Sequence, residues 1–370
     1  MSICHLLALH NIPLLLGKRL PQLMEYFGDA EECWNNESEW VEVLQISKSV
    51  LNDILTEKHC TDPYAVYDSF LKSGAKFVTM DDENYPARLR NIYDPPYLLY
   101  YKGKLPVESD LAIAMIGSRK ATAYGLQATE HISKQLAEKG VVIVSGLARG
   151  IDSSGHKGAL SVGGKNVGIL GCGIDVVYPR ENKKLFNEVI DNGCIISEFP
   201  LGMAPLATNF VRRNRLISGM SDGVVVVEAM RKSGTQITVD YALEQGKEIF
   251  AVPGPIFSPL SQGTHSLIRD DNIKLVTCGA DILVEFENTG MFDHKTVQNS
   301  EQLQMFADVA ENFSQIEKAI WEYLVTAKHF NDIVAETGKP AAELAPVLTV
   351  MEIRGYVTRQ DGQYYIRKNV

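Results

Sequence analysis

Arginines recur beside glycine turns in the middle of this chain, and a guanidinium next to free backbone N–H groups is suited to holding an oxyanion such as phosphate. In MIGSRKATAYG, Gly117 permits close backbone approach, Ser118 offers a further N–H and Arg119 a bidentate donor. In SGLARGIDSSGHKGAL, Gly146 and Gly150 flank Arg149. YPRENKKLF contributes Arg180, Lys183 and Lys184, and FVRRNRLIS gathers Phe210, Arg212, Arg213, Asn214 and Arg215 just before the apolar run GVVVVEA. A further segment, SGTQITVDYALEQGK, sets Ser233, Gly234 and Thr235 at a helix start, where the helix dipole favours an anion.

Each segment also has a plain structural reading. MIGSRK fits a tight turn with a surface arginine, and YPRENKKLF a solvated helix start. In FVRRNRLIS, helical spacing puts Arg212 and Arg215 on one face, while Phe210 lies near Arg213 and Asn214 one turn on. Cations beside an aromatic suit single-stranded nucleic acid, whose bases stack on rings. The alternative has Phe210 in the core and the arginines paired with Asp222 or Glu228. Asp152 reads as a helix cap. His156, with no paired base or metal ligand in view, reads as a packed histidine.

The elements that must position these residues are short apolar runs alternating with amphipathic stretches: LAIAMIG, VVIVSG, NVGILG, CIISEFP, GVVVVEA and EIFAVPG. Runs this apolar, bounded by glycine and separated by helices such as QATEHISKQLAEKG, predict a doubly wound, mostly parallel α/β sheet covered on both faces. The turns carrying Arg119 and Arg149 then follow neighbouring strands and face one crevice, the usual ligand position of such sheets. Before this domain, LPQLMEYFG, WVEVLQI and VLNDIL predict a small helical domain over 1–75. The proline-rich stretch from DDENYPARLR to LLYYKG reads as a connecting segment ending near Lys104. After the α/β domain, placed at 76–287, the polar stretch 288–312 reads as a linker. IEKAIWEYL, FNDIVAETG and LAPVLTVMEIRGY, followed by VTRQDGQYYIRK with a hairpin turn at Asp361-Gly362, predict a winged helix over 313–370. Its Arg354, Arg359, Arg367 and Lys368 permit either DNA or protein contact.

Composition narrows the function classes. The 370 residues carry 36 Lys and Arg against 46 Asp and Glu, a formal charge of −10, yet residues 110–260 hold 16 basic and 14 acidic side chains. A basic face in the middle is therefore compatible with the acidic total, because attraction to phosphate follows local fields. The opening LLALHNIPLLLG is broken by His10, Asn11 and Pro13, so no membrane span is expected. The 6 cysteines form no CxxC pair, which argues against a zinc site or a disulfide framework and fits a cytoplasmic protein. No GxxxxGK[ST] occurs, so a P-loop ATPase is unsupported and no cofactor is expected.

In order along the chain, IGSR, SGLARGID with His156, YPREN, FVRRNRLISG, VVVVEA, SGT and FAVPGP resemble the motifs of the DNA-processing protein A (DprA/Smf) family. The resemblance implies an extended Rossmann-like domain between an N-terminal sterile-alpha-motif-like or helix-hairpin-helix domain and a C-terminal winged helix. The expected glycine-rich hairpin of the first is reduced to IPLLLGKRLP. It further implies a non-catalytic homodimer that binds single-stranded DNA, protects it, and hands it to the RecA recombinase in natural transformation. Carried over by motif, Arg119, Arg180, Arg213 and Arg215 become phosphate ligands, Gly117 and Ser118 backbone ligands and Phe210 a stacking platform. The family's dimer-forming helix and strand fall on GTHSLIRDDNIKLVTCGADIL, where His265, Leu267, Ile268 and Leu275 are the expected contacts, near the expected recombinase dock. The rival reading is a Rossmann-type nucleoside-monophosphate phosphoribohydrolase. Those enzymes carry PGGxGTxxE; EAMRKSGTQIT lacks the PGG and has Thr238 at the glutamate position, leaving hydrolysis without its general base.

Overall fold

The computed structural model describes residues 2–288, 314–324, 328–354, 356–360 and 364–367. The chain divides into two units, Met1–Asp293 and His294–Val370.

The first unit opens with helices α1 (Ile3–His10), α2 (Arg19–Phe27), α3 (Ala30–Asn35), α4 (Trp40–Leu44), α5 (Lys48–His59) and α6 (Pro63–Ser73). Strand β1 (Lys76–Thr79), the short helix α7 (Ala87–Arg90) and β2 (Leu98–Gly103) follow. The α/β succession is β3 (Ala112–Ile116), α8 (Ala123–Glu138), β4 (Val142–Ser145), α9 (Ile151–Leu160), β5 (Asn166–Ile169), α10 (Lys183–Asp191) and β6 (Gly193–Ser197). It continues through α11 (Ala207–Gly219), β7 (Gly223–Val226), α12 (Gly234–Glu244), β8 (Glu248–Ala251), α13 (Gln262–Asp270), β9 (Lys274–Leu275) and α14 (Gly279–Asn288).

The strands form one 9-stranded sheet, β1-β2-β6-β5-β4-β3-β7-β8-β9, parallel except for the β1–β2 and β2–β6 pairs. The stretch expected to be a connector thus supplies an antiparallel strand, β2, after its prolines, and β1 just before it forms the edge of the sheet. Alternation along the central strands sends residues to opposite faces. Ala112, Ala114, Val224 and Val226 pack under α11, α12 and α13, while Ile113, Met115 and Val225 pack under α8, α9 and α14. The N-terminal helices share a core with Leu98 and Tyr100 of β2 and with Leu185 and Phe186 of α10. They are fastened to the sheet as part of the same unit.

Strand order reverses at β3, with β4 on one side and β7 on the other, and Ile116 lies opposite Val226 at the carboxyl ends. In an open parallel sheet this switch point leaves a crevice between diverging loops.

The second unit is a winged helix: α15 (Gln315–Tyr323), β10 (Lys328–His329), α16 (Phe330–Thr337), α17 (Ala341–Ile353), β11 (Val357–Gln360) and β12 (Tyr364–Arg367). Ile320, Ile333, Leu344, Leu348, Met351 and Val357 form its core. Ser314 and Glu317 make a reciprocal capping box at the start of α15. Arg354 is engaged with Glu317 at 3.6 Å. The Asp361-Gly362 turn, Lys368, the side chains of Arg359 and Arg367, and the 289–312 part of the expected linker lie outside the described residues.

Candidate nucleic-acid interface

The crevice is built by glycines that let three chain segments touch. A Cβ on Gly117 would stand 2.7 Å from Ile151 Cγ1 and 2.8 Å from the Glu228 carbonyl oxygen. Gly150 has φ +75°, and a Cβ there would meet the Ser118 carbonyl oxygen at 2.2 Å. Ser118 N–H donates to the Glu228 carbonyl at 2.7 Å, and Ile151 N–H to that of Ser118 at 3.2 Å. The turns after β3, β4 and β7 are thereby stitched together. The Glu228 carboxylate accepts from Thr122 N–H at 2.8 Å and from its hydroxyl at 2.5 Å, anchoring the start of α8.

Helix α11 crosses this edge. Arg213 threads past Gly146, where a Cβ would lie 2.4 Å from its Nη1, and donates to the carbonyls of Gly146, at 2.9 Å, and Ile169. Phe210 rests on Gly171, whose absent Cβ would be 2.6 Å from the ring, and against Tyr178 at 5.4 Å between centroids. The guanidinium of Arg119 lies 5.1 Å and that of Arg213 5.8 Å from the Phe210 ring centre, both within cation–π range.

These groups and the start of α12 enclose a cavity of about 710 Å³, open to solvent. Of the residues expected at the site, it collects Gly117, Ser118, Arg119, Phe210, Arg213, Asn214, Ser233, Gly234 and Thr235. It adds Lys120, Asp152, Met230 and Leu260, which the motifs alone did not single out as binding groups. Burial pushes the Arg213 guanidinium down to about 10, partly offset by Asp152, so it remains a cation at neutral pH. Burial raises the Asp152 carboxyl against the pull of Arg213 and Arg119. Arg213 Nε has no hydrogen-bond partner among the described residues.

Other expectations come out differently. Arg215 is not a free phosphate ligand: it is 4% exposed and grips both Glu198 carboxylate oxygens, at 2.6 and 2.7 Å, with Asp94 at 3.5 Å. Arg212 joins the same carboxylate at 3.2 Å. The alternative partners fail as well, because Asp222 is taken by Arg88 at 2.9 and 2.8 Å and Glu228 by Thr122. Arg180 and Lys183 are exposed outside the cavity lining, and Arg149 is exposed and ion-paired to Glu181. Gly150, not Asp152, occupies the cap position of α9; Asp152 accepts the Ala148 N–H at 3.3 Å. His156 is buried, 2.8 Å from the Asn166 side chain, and burial lowers it to about 4. Leu267, expected at a dimer contact, is 3% exposed and packs under its own sheet, because its turn of α13 faces the core. His265 bonds the Gly254 carbonyl at 3.0 Å, Ile268 is half-buried, and Leu275 on edge strand β9 is 46% exposed. Among the described residues no cluster of metal-ligating side chains occurs and no helix is long and apolar enough to cross a membrane.

A cationic, aromatic-lined crevice at the switch point of a Rossmann-like sheet, in a chain that also carries a winged helix, defines an α/β protein whose crevice has the chemistry to suit a phosphate-bearing ligand. Comparison makes this specific. The chain belongs to the DNA recombination-mediator protein A family, whose model matches residues 76–287, with the DprA winged helix domain matching 314–363. It is 41% identical to DNA processing protein DprA of Streptococcus pneumoniae over 248 residues, covering 64% of this chain and 87% of the relative. It is 38% identical to protein Smf of Escherichia coli over 289 residues, covering 78% and 76%. The solved Streptococcus pneumoniae structure aligns with a TM-score of 0.68 at 33% identity over 77% of this chain and 98% of that one. A structure of DNA processing protein A from Helicobacter pylori, concerned with its single-stranded DNA binding mode, aligns with a TM-score of 0.52 at 30% identity, covering 59% and 98%.

Proposed function

We propose that this protein binds single-stranded DNA along the carboxyl edge of its sheet, protects it, and passes it to the RecA recombinase in natural transformation. The observation that carries the reading is Phe210 with the Arg119 and Arg213 guanidiniums close to its ring, beside a cavity in which a buried cation keeps an unpartnered N–H. A base stacked on Phe210 and a phosphate against the two arginines and the Ser118 turn would use all of these groups at once. Gly234 and Thr235 offer the helix-start N–H groups to a neighbouring phosphate. Arg149, Arg180 and Lys183 lie on exposed surface where further backbone contacts fit. Family membership and the single-strand binding of the Helicobacter pylori relative support the reading. In it the protein is a cytoplasmic homodimer, with Leu275, Ile268 and His265 as the remaining candidates for the interface.

The reading is non-catalytic. It is supported by the engagement of the Glu228 carboxylate with Thr122 and by Thr238, which lines the cavity where the hydrolases carry glutamate. Titration of a labelled single strand tests it. Affinity should fall by roughly 0.7 log unit per contacted phosphate for each log unit of salt. Arg119→Ala should lower affinity for all sequences alike and flatten that slope by about one phosphate. Salt-independent binding, preference for duplex, or release of free base from a nucleoside monophosphate would contradict the assignment.

A further inference from the structure

The loop after β8 carries an aromatic that the crevice does not use. Phe257 is 93% exposed and Ile256 76%, the two most exposed large apolar side chains beside Tyr93 among the described residues. The loop around them is held at several points. Tyr124 donates its hydroxyl to the Pro253 carbonyl at 2.6 Å, Ser258 N–H closes a turn onto the Pro255 carbonyl at 3.0 Å, and Ala229 N–H bonds the Leu260 carbonyl at 2.7 Å. Pro253, Pro255 and Pro259 further restrict the backbone. An aromatic presented on so constrained a loop loses little entropy when a flat partner stacks on it.

Its place in the sheet relates it to the crevice. Strands β3, β7 and β8 are adjacent and parallel, so the loops after them leave from one edge, spaced by about 5 Å per strand. Leu260 of the β8 loop and Met230 of the β7 loop both line the cavity. Met230 is followed by Arg231 and Lys232, both exposed; Arg231 lies within the field of Asp270, and its charge helps to hold that carboxyl low. Exposed cations are therefore carried on the β7 loop, next in strand order to the β8 loop with its exposed ring.

We propose that Phe257, together with Arg231 and Lys232, forms a second base-stacking position for single-stranded DNA, on the loop after β8, the strand next to β7 and further along the sheet edge than Phe210. This rests on the single-strand reading of the crevice. A strand anchored at Phe210 continues over the β7 loop, sets phosphates against Arg231 and Lys232, and stacks a base on Phe257. The chemistry is sequence-tolerant, since every base has a face to stack.

The test compares thymidine oligonucleotides of about 5 and about 20 nucleotides by fluorescence anisotropy, lengths chosen to fill the crevice alone or to run past it. Phe257→Ala should weaken the long oligonucleotide about 5-fold or more, leave the short one unchanged, and keep the light-scattering mass of the wild type. Phe257→Trp should restore the long-strand affinity, and Phe210→Ala should weaken both lengths. If Phe210→Ala weakens both but Phe257→Ala weakens neither, the second position is wrong and the crevice stands. If Phe210→Ala weakens neither, the crevice reading itself fails. If Phe257→Ala changes the mass, the ring belongs to a contact between copies and the proposal is overturned.

Discussion

The two faces of α11 carry the same residue type to opposite ends. On one face, Arg212 and Arg215 converge on the buried carboxylate of Glu198, with Asp94 beside Arg215. On the other, Arg213 is just as buried but donates to two backbone carbonyls and to no carboxylate, with Asp152 acting on it only through its field, and it stands beside Phe210 and Arg119. A buried guanidinium with a bidentate carboxylate is neutralised and acts as a fastener. One held by carbonyl oxygens stays electropositive and can receive an anion. The difference teaches that the role of an arginine here is set by which carboxylate reaches it.

The largest effect should follow from breaking the fastener. Glu198→Ala leaves Arg215 buried without its partner, which should cost about 3–5 kcal/mol of stability in denaturant unfolding. Single-strand affinity per folded molecule should be nearly kept. A loss of affinity with unchanged stability would reverse the assignment of the two faces.

Truncation on the open face should do the opposite. Phe210→Ala should cost about 1–3 kcal/mol of single-strand affinity, with a smaller change in stability because the ring is only half-buried. Loss of stability alone would make the ring a core residue.

The smallest effect is a pH dependence on the fastened side. His10 is buried beside Arg212, and burial, then the Arg212 charge, lowers it to about 3. Because the folded value lies below the unfolded one near 6.5, its contribution is complete above pH 6.5 and is lost as pH falls toward 3. By pH 5.5 about 1.4 kcal/mol of stability from this group is lost. The lowered carboxylates Asp29, Glu37 and Asp281 act at lower pH, and the raised Asp152 carboxyl acts in the opposite direction but equally in wild type and variant, so the difference between wild type and His10→Gln in unfolding curves at pH 7 and 5.5 isolates His10. His156, lowered to about 4, adds in the same direction, and His10→Gln should remove only the first share. An unchanged midpoint in both proteins would contradict the burial of either ring as a neutral group.

How much of this was legible varies by element for physical reasons. The parallel strands announce themselves because both faces are covered, which makes LAIAMIG or GVVVVEA continuous apolar runs. Strands β1 and β2 hide because KFVT at the edge and LLYYKG beside it mix Lys76 and Lys102 with apolar residues and flank a proline-rich stretch. The glycine turns and the Phe210–Arg213 pairing followed from spacing, since a helix fixes which residues share a face. The fate of Arg215 did not, because Glu198 lies at the end of another strand and nothing local links the two. Leu267 shows the same limit: an apolar residue in an amphipathic helix does not say whether it faces its own sheet or another chain.

The most direct test of the central claim is where a single strand touches the protein. Photo-cross-linking with an oligonucleotide containing iododeoxyuridine, followed by peptide mapping, should place the main adduct on the α11 peptide at Phe210, and Phe210→Ala should abolish it. Adducts confined to the winged helix or the N-terminal helices, with none on α11, would contradict the account.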